Sequence, residues 1–156
     1  SLTLDPETAH PRLVLSADLK GARWDDTRRP VPDNPKRFDS SRCVLGRRAF
    51  GAGRHYWEVE VGDGDAWAVG VAKESVRRKG RVNVNPAAGI WAVGRCGGQH
   101  QALTSPATPL ALPAAPEVIG VYLDYDGGRV AFFDAREEAP IFSYPPAAFG
   151  GERLLP

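Results

Sequence analysis

Short runs of alternating bulky and small residues, broken every few positions by glycine or proline, are what most constrains this chain. The 17 glycines and 14 prolines fall along its whole length, and the pieces between them are too short for helices of ordinary size. The clearest piece is His55 to Val61, with Trp57, Val59 and Val61 on one face and Tyr56, Glu58 and Glu60 on the other. That period of two is a strand with one buried side. Asp63-Gly64-Asp65 follows as a hairpin turn, because glycine tolerates the positive φ such turns need. Ala66 to Ala72 is the next strand, with Trp67, Val69 and Val71 on one side and Ala66, Ala68, Gly70 and Ala72 on the other. Ile90 to Cys96 repeats the theme, setting Trp91 and Val93 against Ala92, Gly94 and Cys96. Val118 to Tyr125 turns at Asp126-Gly127-Gly128 into Arg129 to Phe133. Antiparallel strands at these intervals predict a β-sandwich.

Two segments read as loops: Thr104 to Pro116, with four prolines that cannot supply continuous ladder donors, and Asp25 to Pro35, with three. Helical signal is confined to Asp5–Ala9 at the N-terminus and Glu74–Gly80, each enough for a turn or two. At 156 residues the chain is expected to be one domain. It contains no Met, which predicts one module of a longer product.

The net charge of +1 argues against a nucleic-acid binder that relies on bulk electrostatics. Sixteen of the 20 basic residues are arginine, however, the side chain suited to local bidentate and stacked contacts. No run approaches ~18 apolar residues, so no membrane span is expected in this piece. Cys43 and Cys96 are too few for a disulfide scaffold, and reduced thiols in a cytosolic setting are expected. Cys43 reads as a small apolar filler. His10, His55 and His100 follow no metal-ligand spacing. There is no G-x-S-x-G elbow and no P-loop, and Gly94 to Gly98 follows a strand where a phosphate cradle would open a helix. Asp124, Asp126 and Asp134 could form a carboxylate pair with a partner, but two of them, Asp124 and Asp126, flank Tyr125 at a hairpin tip, where aspartate supports turn geometry. No catalytic residue, metal or cofactor is assigned.

The stripe of small residues on two Trp-bearing strands has two readings. It can pack closely against loops, or it can be a shallow floor on which a ligand lies. Arg78, Lys79, Arg81, Arg95, Gln99 and Gln101 stand on or near the surrounding loops, and such a rim suits a peptide with an acidic group or a free carboxylate. For Arg77-Arg78-Lys79 the plainer reading is a solvated turn.

Several of these stretches carry a resemblance. Leu2 to Pro11 resembles the opening of a PRY segment. Pro35-Lys36-Arg37-Phe38-Asp39 and Cys43-Val44-Leu45-Gly46 resemble the junction from PRY to SPRY. Gly53 to Val61 is similar to the hallmark SPRY strand, and Trp67 to Val71, Glu74 to Gly80, Gly89-Ile90-Trp91 and Leu123-Asp124-Tyr125 follow in order. The resemblance runs from Leu2 to about Phe133 and divides the chain into a PRY segment with its junction (1–50) and an SPRY segment (51–156).

What it implies is an all-β fold, a bent sandwich of two antiparallel sheets with long variable loops, to which the N-terminal signal adds a short helix. It further implies a non-enzymatic, cytoplasmic module that binds a target protein or short peptide. Such domains end tripartite-motif ubiquitin ligases of innate immunity, choosing the substrate while a distant RING transfers ubiquitin and the rest of the protein oligomerises. They also form the intracellular part of butyrophilins, some of which sense a phosphorylated small molecule. Glu74 to Gly80 and Gly97-Gly98-Gln99 are closer to the tripartite-motif branch. The resemblance implies Trp67, Ala68, Val84, Gly94 and Cys96 as binding positions, and the rim read from the residues adds Arg78, Arg95 and Gln99. Ala68 is neither the acid of an antibody-binding relative nor the histidine of phosphoantigen sensors. Gly94 and Cys96 stand where the antibody binder has tryptophans, and Val84 where a binder of C-terminal glutamine peptides has an aromatic. Relatives also continue past Arg153 to Pro156 into an aromatic pair and a final strand, so an open strand edge is expected here.

Overall fold

A computed structural model describes residues 2–156, with eleven strands and one 3-10 turn at Pro86–Ala88 among them. Strands β1 (Leu13–Leu15) and β2 (Ala22–Trp24) form a small antiparallel ribbon in the N-terminal segment. Strands β3 (Arg54–Glu60), β8 (Val118–Asp124), β9 (Arg129–Asp134) and β10 (Ala139–Ser143) form a four-stranded sheet in the order β10-β9-β8-β3. Strands β4 (Ala66–Lys73), β5 (Ile90–Cys96), β6 (Gln99–Ala102), β7 (Thr108–Pro109) and β11 (Leu154–Leu155) form a five-stranded sheet in the order β11-β4-β5-β6-β7. All pairings are antiparallel.

The predicted strands appear within a residue of their expected limits, because alternation and turn glycines specify both register and ends. Between the two larger sheets Val71, Trp91, Val93 and Ala102 meet Ile119, Val121, Leu123, Val130 and Phe132, all buried. Tyr144 closes this core by donating its hydroxyl to the Ala92 carbonyl at 2.7 Å. Close approach of β4 to β5 depends on glycine: a Cβ at Gly94 would stand 2.5 Å from the Trp67 carbonyl, and one at Gly70 would overlap the Trp91 carbonyl.

The short N-terminal helix is not formed. Asp5 to Ala9 makes a turn: the Asp5 carboxylate accepts from the Glu7 N–H at 3.0 Å and its carbonyl from the Thr8 N–H at 3.0 Å. The Ala9 N–H adds one long bond to the Pro6 carbonyl at 3.4 Å, but the His10 N–H goes to the Cys43 carbonyl at 3.0 Å and Pro11 has none to give, so nothing propagates a helix. Glu74–Gly80 likewise stays irregular. The proline-rich loop contributes one two-residue strand, β7, at the outer edge of its sheet, where proline costs no ladder bond. At the other edge β11 pairs only with Lys73 and Ala72, and Ala66 to Val71 have no strand partner on that side among the described residues.

A second hydrophobic cluster lies on the outer face of the five-stranded sheet. Phe38, Leu45, Val76, Val82 and Leu155 pack there over Ala72, with Cys43, Ala49 and Ile90 beside them. Burial raises the Cys43 thiol above its ordinary pKa, in keeping with a packing role.

Candidate functional site

Direct cross-strand partners share a face of a sheet. The register of β4, β5 and β6 therefore puts Cys96 and Gln99 in one row and Ala68, Gly94 and Gln101 in the next, with Ala66 opposite Cys96. Ala66, Ala68, Cys96 and Gln99 are exposed, and Gly94 lies buried beneath them. Ala72 and Ala92, further along the same face, are buried, Ala72 by the second cluster. The stripe thus divides: one end is packed by the N-terminal segment and the loop after β4, and the other is an open, nearly flat floor. Gln99 lies at its margin and donates its amide to the His100 carbonyl at 2.8 Å.

Trp67 and Arg95 do not belong to that floor. They pair with each other and with His100 on the opposite, inward face. The rings of Trp67 and His100 meet edge to face at 6.1 Å, and Trp67 packs against the main core. Arg95 donates to the Gly64 carbonyl at 3.3 Å, and its Nε is buried without a partner, as is Nε2 of His100. Burial first, and then the charge of Arg95, lower the pKa of His100.

Arg78 is tied to main chain. It donates from Nε to Val76, from Nη2 to Glu74 and from Nη1 to Lys36, with its guanidinium 5.5 Å above the Phe38 ring. Lys79 is used similarly, its ammonium meeting Asp33 Oδ1 and the carbonyls of Asn34 and Arg37. Arg78 and Lys79 thus stitch the loop after β4 to the N-terminal segment. Sequence reasoning missed this because main-chain acceptors leave no residue signature. Val84 is half-buried in the loop before the 3-10 turn and joins neither hydrophobic cluster. Of the eight positions expected, the structure brings Ala68, Gly94, Cys96 and Gln99 together and places the other four elsewhere.

Among the described residues no group of three His, Cys, Asp or Glu side chains could hold a metal ion, and no helix is long and apolar enough to cross a membrane. Cys43 and Cys96 are unpaired. A two-sheet sandwich that displays a bare, loop-bordered floor is the architecture of a binding module.

The comparisons with known proteins agree. Residues 2–50 match PRY, the SPRY-associated domain, and residues 54–154 match the SPRY domain. The chain belongs to the SPRY family, with the PRY segment ahead of it, and this is a protein-interaction domain. It is 47% identical over 150 residues to butyrophilin subfamily 1 member A1 of Bos taurus, covering 96% of this chain and 28% of that protein. It is also 47% identical over 151 residues to zinc finger protein RFP of Homo sapiens, covering 96% of this chain and 29% of that protein. The chain therefore spans less than a third of these relatives. The crystal structure of the TRIM65 PSpry domain superposes with a TM-score of 0.82 over 99% of this chain and 81% of that one, at 24% identity, a likeness of fold.

Proposed function

We propose that this domain is the substrate-recognition part of a tripartite-motif ubiquitin ligase, reading a short segment of a target protein on the floor formed by Ala66, Ala68, Gly94, Cys96 and Gln99. The observation that carries this is the exposed end of the small-residue face, which lets a peptide backbone lie close to the sheet. The charge pattern favours a peptide over a phosphorylated metabolite, the butyrophilin-type alternative. Arg78 and Lys79, two of the cations that would have ringed such a metabolite, spend their donors inside the fold. The free thiols of Cys43 and Cys96 fit a cytoplasmic setting. The resemblance of Glu74 to Gly80 and Gly97-Gly98-Gln99 to the tripartite-motif branch supports the ligase assignment.

A peptide-library pulldown with the chain and with its Ala68→Arg variant tests the reading. Enrichment of a peptide class by the first and not the second supports it. Enrichment indifferent to Ala68→Arg, or heat on titration with pyrophosphate compounds that Ala68→Arg abolishes in the absence of any peptide enrichment, overturns it.

A further inference from the structure

Positive charge gathers around one aromatic ring in the PRY segment, on arginines that form no salt bridge among the described residues. His10 is buried, 5% exposed, and its ring centroid lies 5.9 Å from that of Trp24, which is 36% exposed. The guanidinium of Arg42 sits 4.0 Å over the Trp24 ring, a stacking that holds it in place. The Arg12 N–H donates to Nδ1 of His10 at 3.0 Å, so the neutral imidazole keeps its proton on Nε2. The chain after β2 is hooked back over β1, with the Asp25 N–H on the Arg12 carbonyl at 2.9 Å and the Arg29 N–H on the Pro11 carbonyl at 3.1 Å. Arg28 is carried in by that hook.

His10 reports the resulting field. Burial, and then the charges of Arg28, Arg12 and Arg42, hold its pKa below the ordinary value, with only Asp39 opposing them. The nearby carboxylates are engaged elsewhere: Asp25 with Arg23 at 3.6 Å and the Thr27 N–H, Asp39 with the Gly80 N–H and Ser40. Among the described residues, Arg12, Arg28 and Arg42 form no salt bridge, and Nε of Arg12 is buried without an acceptor.

We propose that this cluster binds a phosphoryl group carried by a protein partner, with Arg12, Arg28 and Arg42 as its charged donors and Trp24 as the wall for a flanking apolar side chain. Three guanidinium groups and an imidazole N–H outmatch the single charge of a carboxylate. A phosphoryl group, with close to two charges and three acceptor oxygens, fits them. The part of the Trp24 side chain left exposed beside the anion gives a peptide, and not a free ion, something further to contact. The site goes beyond the floor reading and uses none of its residues.

The test is NMR titration of the chain with inorganic phosphate, followed by binding of a phosphoserine and phosphotyrosine peptide pool beside its unphosphorylated counterpart. Phosphate should move the Trp24 indole and His10 imidazole signals saturably and raise the pKa of His10. The phosphorylated pool should bind roughly tenfold or more tightly than the unphosphorylated one, and Arg28→Gln with Arg42→Gln should weaken it by roughly the same factor, while Arg136→Gln does not. Arg28 and Arg42 are both exposed, so an unchanged melting temperature confirms that the double variant is folded. Signals that move no further than with chloride at equal ionic strength would overturn the proposal. So would phosphopeptides bound no better than free phosphate, or vesicles containing phosphatidylserine that compete as well as the phosphopeptides. Loss of peptide binding through Ala68→Arg alone bears on the floor and leaves this site standing.

Discussion

Arg78 donates from Nη1 to the main-chain oxygen of Lys36 at 2.7 Å, across 42 positions of sequence. With its bonds to Val76 and Glu74 and its place above Phe38, this makes Arg78 a clamp between the SPRY loop and the PRY segment. Arg78→Ala should lower stability by about 2 kcal/mol, read as a fall in the urea midpoint at constant m-value. Arg78→Lys should recover less than half of it, because an ammonium cannot reproduce the planar fork. Loss of partner binding with an unchanged midpoint would instead place Arg78 in contact with ligand.

Gly70 faces Ala92 across the β4–β5 ladder, where any Cβ would overlap the Trp91 carbonyl. Gly70→Ala should therefore cost about 3 kcal/mol, far more than an alanine in an ordinary strand. Thermal unfolding checks this, and a melting temperature within a degree or two of the parent would contradict it.

Ala68→Arg adds a long side chain to an exposed position and should leave stability within about 0.5 kcal/mol of the parent. Trp67→Ala, one residue earlier and on the inward face, should cost about 3 kcal/mol through lost packing. Parallel denaturant curves separate the two, and equal destabilisation would mean that the faces are assigned wrongly.

His10 and His100 both titrate below 6.5 in the folded chain, each mainly through burial and secondarily through nearby arginines. As pH falls, the unfolded chain takes up protons at these positions before the folded chain does. Their neutral forms therefore cost nothing above the unfolded value, and stability declines as pH drops through it toward the folded values. The urea midpoint should fall between about pH 7 and pH 5, before most carboxylates protonate. His100→Gln should flatten that slope, whereas a midpoint rising over the same range would contradict the assignment.

Much of this architecture was legible in the residues. Trp57 and Val59 alternate with Tyr56 and Glu58, and the strand runs as that alternation requires, because a slip of one position would bury the glutamate. The turn at Asp126-Gly127-Gly128 was legible for a similarly local reason: only glycine sits easily at the positive φ of Gly128. β1, β2, β7 and β11 were not legible, since two or three residues carry too little period to stand out. The expected helix at Asp5–Ala9 failed because a partner 33 positions away, the Cys43 carbonyl, takes the donor that would have extended it. Within the site, Ala68, Gly94, Cys96 and Gln99 share a face as their alternation implies, but the same parity sends Trp67 and Arg95 to the other side.

By itself, the sequence determined where the longer strands run, which side of each is bulky, and that they build a β-sandwich, since these follow from periods of two and from turn chemistry within a few residues, while the PRY–SPRY assignment came from the resemblance of its motifs. Only the tertiary structure decided which half of the small-residue face is open, that Arg78 and Lys79 are stitches, and that Arg42 stacks on Trp24 beside the buried His10. Each of those outcomes depends on contacts between segments distant in the chain, and above all on main-chain carbonyls, which every residue carries and no residue type announces.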